Sequence, residues 1–177
     1  MILLSASVWR RQEINGTSIL VQPWRQESIF CRPKVLNNDA FWPLSDCVTP
    51  PGTYVDAYPL HMMTTNSLQY LTEQGNVAAV KERFRPNLLI EPSQQSAQMT
   101  ENDWVGHRLQ VGEVVLRVHN RTVRCSMPSR QQQWCDVKAE PKMARAMVDH
   151  CDRHLGVYVM VEKGGVISAG DDLVLID

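Results

Sequence analysis

Residues 111–125, with the sequence VGEVVLRVHNRTVRC, decide the fold of this chain. Their apolar members are mostly β-branched and predict a buried strand: Val111, Val114, Val115, Leu116 and Val118. We expect the strand to continue into a polar loop that carries Arg117, Arg121 and Arg124 and ends at Cys125. A thiol beside guanidinium groups ionises more easily, and thiolates are nucleophiles and ligands for soft metals. A free cysteine is also a common small core residue, so the pattern alone leaves both interpretations of Cys125 open.

Length and composition describe an ordinary globular chain. Its 177 residues are sufficient for one domain, and 44% of them are hydrophobic and 21% charged. The formal net charge of −1 provides no general attraction for nucleic acid or for an anionic membrane. We therefore expect neither as a partner.

The cysteines are odd in number and widely spaced, at positions 31, 47, 125, 135 and 151. No CxxC pair, zinc pattern or iron–sulfur spacing is present, which favours a reducing, cytoplasmic location. The apolar start meets Trp9, Arg10 and Arg11 too early for a signal peptide or a membrane span.

The N-terminal region, residues 1–52, is predicted to contain a hairpin followed by a loop. Two apolar runs, residues 2–8 and 17–22, flank Asn15-Gly16, a dipeptide that favours a type I′ turn. From residue 29 to residue 51 the chain is rich in proline, asparagine and aromatic residues and shows no sustained period. We interpret this segment as irregular.

Residues 53–90 predict a strand, a short helix and another strand. The strand covers 53–65, and the helix covers 67–73, capped by Asn66 or a neighbouring threonine and ended by Gly75. Pro86 is expected to exclude a helix and to hold Arg85 extended before a strand at 88–90.

The C-terminal part predicts one more helix and two more strands. Apolar residues at helical spacing mark 141–154, with Gly156 as the stop, and strands follow at 157–161 and 173–176. Many short strands, few short helices and frequent turns indicate a mainly β, barrel-like fold.

Laid end to end, these segments resemble the MOSC domain family, named after the C-terminal domain of molybdenum cofactor sulfurase. The family includes the mitochondrial amidoxime reducing component and many bacterial proteins. The matching runs are VDAYPLHMMTTNSL (55–68), RFRPN (83–87), ENDWVGHRLQVG (101–112), TVRC (122–125), LGVY (155–158) and GVISAGD (165–171). The resemblance spans residues 53–177 in the family's order and implies a single MOSC-type β-barrel domain. Only about 50 residues precede it, so we expect no full second N-terminal domain of the kind that the family's reductases carry.

By that resemblance, Cys125 would be the protein ligand of molybdenum in the molybdenum cofactor, or the carrier of a transferred sulfur. Arg85 and Asn87 would contact the pterin, and Thr64, Thr65 and Ser67 would line the same pocket. Arg85 and Arg124 also suit an anionic cofactor as planar donors, and Asn87 suits it as an amide that both donates and accepts. The resemblance further implies pyridoxal phosphate binding.

The implied activity is reductive cleavage of the N–O bond in small N-hydroxylated substrates. The chain has no cysteine cluster of its own for electron transfer, so an external electron-donor protein would be needed. Two alternatives stay open: a sulfur-transfer module with a persulfide on Cys125, and a cofactor-binding protein without catalysis.

Four further residues have both a functional and an ordinary interpretation. His150 and His154 would share a helix face and bind metal, although an exposed helix end accounts for them more simply. His119 is near enough to Cys125 in sequence to donate a proton, and an ordinary loop or core histidine is the alternative. Cys135 could resolve a persulfide or form a disulfide, or be a plain loop thiol.

Overall fold

A closed barrel of seven strands organises the molecule. The structure is a computed structural model, and it describes residues 2–6, 18–21, 58–94, 96 and 98–177, the first two ranges as backbone only. The segment 29–51, which includes Cys31 and Cys47, lies outside these residues, so its predicted irregular conformation stays a prediction.

The described strands and helices follow one another along the chain with short connections. The strands are β1 (Ile2–Ala6), β2 (Ser18–Val21), β3 (Leu60–Thr64), β4 (Leu88–Glu91), β5 (Arg108–Val111), β6 (Val114–Val123), β7 (His154–Lys163), β8 (Gly165–Ser168) and β9 (Asp172–Leu175). The helices are α1 (Thr65–Gly75), α2 (Lys81–Phe84) and α3 (Met143–Cys151), with 3₁₀ turns at Thr100–Trp104, Met127–Ser129 and Gln133–Cys135. The barrel order is β1-β4-β3-β7-β6-β5-β9, closed by pairing of β1 with β9. The prediction of a mainly β, barrel-type fold with a few short helices is confirmed.

The predicted N-terminal hairpin is wrong. Strands form on both sides of Asn15-Gly16, but β1 pairs in parallel with β4 and β9, whereas β2 pairs antiparallel with β8. A hairpin needs its two strands to pair with each other. Here the first strand closes the barrel instead, so distant pairing outweighs the local turn preference of the Asn-Gly dipeptide.

The core has two parts, one on each face of the barrel wall. Consecutive residues of a strand point to opposite faces, so Met62 packs inside the barrel with Leu116, while Met63 packs outside with Leu71 and Met147. Helices α1 and α3 cover the outer cluster. The apolar stripes of these helices are therefore structural.

Residues 111–125 form more strand than the sequence predicts. Gly112, with φ +57°, makes a turn between β5 and β6, and β6 then continues to Val123. Residues 119–123, expected in a loop, pair with β7 through two register shifts. Pairing along β7 extends the strand past the apolar residues that predicted it.

Three helix boundaries also differ from the predictions. Thr64 caps α1, as allowed, but Arg85 ends the unpredicted α2 in the left-handed conformation, with φ +50° rather than extended. Its N–H donates to the carbonyl of Lys81, and this bond closes the helix. Helix α3 ends at Cys151, and Gly156 lies inside β7 instead of stopping a helix. No helix in the described ranges is long and apolar enough to cross a membrane.

Candidate functional site

The end of β6 presents Cys125 to solvent. The N–H of Arg124 donates to the carbonyl of Arg153 at 2.7 Å, which is the last backbone bond between this end of β6 and the segment before β7. The next residue, Cys125, is an exposed free thiol. The Met127 N–H lies 3.5 Å from its sulfur. The interpretation of Cys125 as a buried core residue is therefore excluded.

Arg124 ties this end of β6 to helix α2 and to strand β3. One guanidinium nitrogen donates to the carbonyl of Phe84 at 3.0 Å, and the guanidinium carbon lies 5.3 Å from the centre of the Phe84 ring. Another guanidinium nitrogen lies 3.4 Å from Nε2 of His61. These contacts bring Cys125 to the connection between α2 and β4, where Arg85 and Asn87 lie.

His61 is a residue of this site that the sequence analysis did not single out. Burial lowers its pKa, the positive charge of Arg124 lowers it further, and the result is about 3. The ring is neutral, and because a guanidinium only donates, Nε2 accepts from Arg124. The same nitrogen lies 3.4 Å from the carbonyl of Leu155, a contact that would require a proton on Nε2; the neighbouring guanidinium favours the bare nitrogen. Its position in the 55–68 run was the available signal.

Asn87 and Arg85 occupy the same corner in different ways. The side-chain oxygen of Asn87 accepts from the N–H of His61, and the N–H of Asn87 donates to the carbonyl of His61, both at 2.8 Å. Asn87 thus fixes the start of β3, whereas Arg85 is exposed. We call Cys125, Arg124, His61, Arg85 and Asn87 the cysteine corner.

Thr64 and Ser67 contact a buried carboxyl group. Both hydroxyls donate to Oε2 of Glu101, at 2.7 Å and 2.6 Å, and Thr64 Oγ1 also accepts the Ser67 N–H that it caps. Glu101 is fully buried, and burial raises the pKa of its carboxyl group above the usual range. We call Glu101, Thr64 and Ser67 the Glu101 network. Thr65, half-buried, begins α1 beside it.

In the described residues, no hydrogen bond joins the Glu101 network to Cys125 or Arg85. The two groups of predicted residues are thus separate: Arg85, Asn87 and Arg124 meet at the cysteine corner, while Thr64 and Ser67 hydrogen-bond inside the fold. Their roles toward a cofactor stay predictions.

A row of aromatic and imidazole rings extends from the cysteine corner across the outer barrel face. Tyr158 is opposite His61 in the β3–β7 register, with ring centres 6.3 Å apart, and it stacks on Tyr58 at 5.0 Å. The Tyr58 hydroxyl lies 2.9 Å from Nδ1 of His119. Burial lowers the pKa of His119 and raises that of Tyr58, so at neutral pH the pair is uncharged and the hydroxyl donates. This bond does not support His119 as an acid toward Cys125.

Two buried polar atoms near the end of β6 have no hydrogen-bond partner within the described part of the chain. They are Oδ1 of Asn120 and Oγ1 of Thr122, which precede Arg124 by four and two residues. A buried acceptor without a donor costs free energy, so such atoms suit a ligand that offers hydrogen-bonding edges. They fit the edges of a pterin, and the exposed Cys125 thiol fits a soft metal.

The remaining candidates lie elsewhere or form other contacts. Arg117, expected beside Cys125, is in the middle of β6 and pairs with Glu162. His154 begins β7, so it shares no helix face with His150, and that prediction is wrong. Cys135 is a free thiol whose Sγ lies 3.6 Å from the carbonyl of Gln132. Among the described residues, no group of three or more His, Cys, Asp or Glu side chains could hold a metal ion.

Comparisons with known proteins point to one family. The sequence model of the MOSC domain matches residues 50–174. A search of curated proteins gives no significant match. The crystal structure of APC1665, the YUAD protein from Bacillus subtilis, is similar with a TM-score of 0.51 and 18% identity over 64% of this chain and 61% of that one. YiiM from Geobacillus stearothermophilus has a TM-score of 0.50 and 21% identity over 68% and 55%. At these identities the two structures support the fold, and this chain spans less than two thirds of either protein.

Proposed function

Because the chain belongs to the MOSC domain family, we propose that it binds the molybdenum cofactor through Cys125 and reduces N-hydroxylated compounds with electrons from an external donor protein. The family is one of molybdenum cofactor-binding and sulfur-carrier modules. The reaction and the substrate class are the proposal. Pyridoxal phosphate binding and a cytoplasmic location stay predictions.

The observation that supports this proposal most directly is the exposed thiol of Cys125 beside the α2–β4 connection. Arg124 brings the two together by donating to Phe84, one residue before Arg85. An exposed thiolate can coordinate molybdenum, and an exposed guanidinium can bind the anionic end of the cofactor. Both groups are needed at one place, and they are 40 residues apart in sequence.

Each residue of the cysteine corner has a task in this proposal. Cys125 provides the single protein sulfur, and Arg85 binds and orients the anionic group. Arg124 and the neutral His61 keep the two supporting segments in register, and Asn87 holds the backbone of His61. When bound, the cofactor supplies the two-electron chemistry that removes oxygen from nitrogen.

Elemental analysis tests the proposal. Protein from a host that makes the cofactor should contain molybdenum in stoichiometric amount, and the Cys125→Ala variant should contain none. The loaded protein should then reduce an amidoxime when a chemical reductant replaces the donor protein. Equal metal in both proteins would exclude Cys125 as the ligand, and loaded protein without turnover would leave cofactor binding alone.

A second candidate function is sulfur transfer. It is favoured by the Met127 N–H near the sulfur, because such a donor would also stabilise a persulfide anion on Cys125. A mass increase of about 32 Da on the Cys125 peptide, in protein without molybdenum, would support it. Molybdenum-loaded protein that never carries this adduct would contradict it.

A further inference from the structure

Arg83 is a buried cation whose partners are backbone carbonyls. Its side chain is 5% exposed, and none of the ion pairs within the described ranges includes it. The guanidinium donates to the carbonyls of Ala78 at 2.8 Å, Pro128 at 3.1 Å and Lys138 at 2.8 Å. Burying a charge is costly, and a planar group with several donors is the side chain that can bond three carbonyls at once.

Two of these carbonyls border the segment that follows Cys125. Residues 126–138, here called the cysteine loop, are fastened near the start at Pro128 and at the end at Lys138. Inside the loop, the buried Gln132 donates its side-chain nitrogen to the carbonyl of Met127 at 3.1 Å. Gln132 and Val137 also exchange two backbone bonds, at 2.8 Å and 3.2 Å. Arg83 thus joins a closed loop to helix α2.

The contact that this arrangement preserves is the one at the sulfur. The Met127 N–H lies 3.5 Å from Sγ of Cys125, the carbonyl of Met127 is held by Gln132, and the carbonyl of the next residue is held by Arg83. A hydrogen bond to the charged form of a group favours that form. Hydrogen bonds to sulfur also tune sulfur-bound metals.

We propose that Arg83 is a positioning residue for Cys125. It acts through the cysteine loop, where its fork of donors holds the Met127 N–H against the sulfur and so favours the thiolate. The inference relies on the proposed function only for the importance of Cys125, because the loop contacts do not require a bound cofactor.

The test compares Arg83→Lys with Arg145→Lys in the full chain. Lysine keeps the positive charge but cannot bond three carbonyls. Arg145 is an exposed residue of α3 that pairs with Asp149, so its replacement makes the same chemical change away from the loop. The measurement is the rate constant for alkylation of each cysteine by iodoacetamide, read peptide by peptide at pH 7 and pH 10. The buried Cys151 serves as the internal reference.

We expect Arg83→Lys to lower the Cys125 rate at pH 7 by about fivefold, the effect of one hydrogen bond. The pH 10 rate should change less, and the Cys151 rate should stay as in the wild type. A merely structural role would give another pattern, with Cys125 unchanged or faster and Cys151 faster because the fold has loosened. That pattern, or a pH 7 to pH 10 ratio equal to that of Arg145→Lys, would overturn the proposal.

If Arg83→Lys does not fold, Gln132→Met decides. It removes the donor to the Met127 carbonyl and leaves Arg83 in place, so a smaller loss of the Cys125 rate at pH 7 is expected. An unchanged ratio in this folded variant would again overturn the proposal. The metal analysis fails separately: a Cys125 rate that depends on Arg83, in protein that never binds molybdenum, would retain the positioning role and reject the cofactor.

Discussion

The cysteine corner and the Glu101 network lie at the two ends of one five-residue strand, yet their chemistry is opposite. His61, near the start of β3, is held next to a guanidinium and leads to an exposed thiol. Thr64, at its end, donates to a carboxyl group that is fully buried and has a raised pKa. A run of motif residues is thus not one site: the exposed end can meet a ligand, whereas the buried end stabilises the fold.

The sharpest way to break this comparison is to remove the thiol. Cys125→Ser should abolish metal binding and activity, because a hydroxyl is a poor ligand for a soft metal. The melting temperature should change by about 1 °C or less, since the side chain is exposed. Calorimetry and metal analysis of one preparation test both statements. A large loss of stability would place Cys125 among the structural residues.

Gly156 tests how closely the cysteine corner is packed. A Cβ there would lie 2.4 Å from Nε2 of His61 and 2.8 Å from the carbonyl of Met62, and φ is +82°. We expect Gly156→Ala to lower the free energy of unfolding by roughly 2–3 kcal/mol in urea titrations.

Gly106→Ala is the matched control for that substitution. Its φ is +89°, and nothing lies within 4 Å of a Cβ, so it carries the backbone strain without the collision. We expect a loss of about 1 kcal/mol. Equal losses in the two variants would show that His61 can move aside.

Glu101 provides the pH test of the buried end. Its folded pKa is raised above 4.5, so the folded protein keeps a proton that the unfolded chain releases above that pH. Stability should therefore fall as pH rises from the unfolded pKa toward the folded one. Glu101→Gln should flatten this slope in urea titrations between pH 5 and pH 8, below the range of the Cys151 thiol, whose pKa burial raises to about 11. A slope unchanged in the variant would assign the pH dependence to another group.

The smallest expected effect concerns Arg85. Arg85→Ala should weaken cofactor binding about tenfold, the contribution of one charge-assisted hydrogen bond. Arg117→Ala should change it less, because Arg117 pairs with Glu162 in mid-strand. Cofactor retention after gel filtration of the loaded proteins measures both. Equal retention would remove Arg85 from the binding site.

Local pattern predicted the elements better than their partners. The strands at 88–90 and 157–161 and the helix over 143–151 follow from apolar spacing, which a short segment contains in full. The N-terminal hairpin failed because β1 pairs with β4 and β9, more than 80 residues away. No turn dipeptide encodes a pairing of that range.

The sequence by itself determined a mainly β chain of the MOSC type with Cys125 at the end of its central strand. Only the tertiary structure decided which motif residues meet. Register places His61 opposite Tyr158, and packing brings Arg124 to Phe84, Arg83 to the cysteine loop and Thr64 to Glu101. Those partners lie 37 to 97 residues apart. Their contacts depend on how the barrel closes, because a hydrogen bond requires two groups within about 3 Å and a one-residue change of register would separate them.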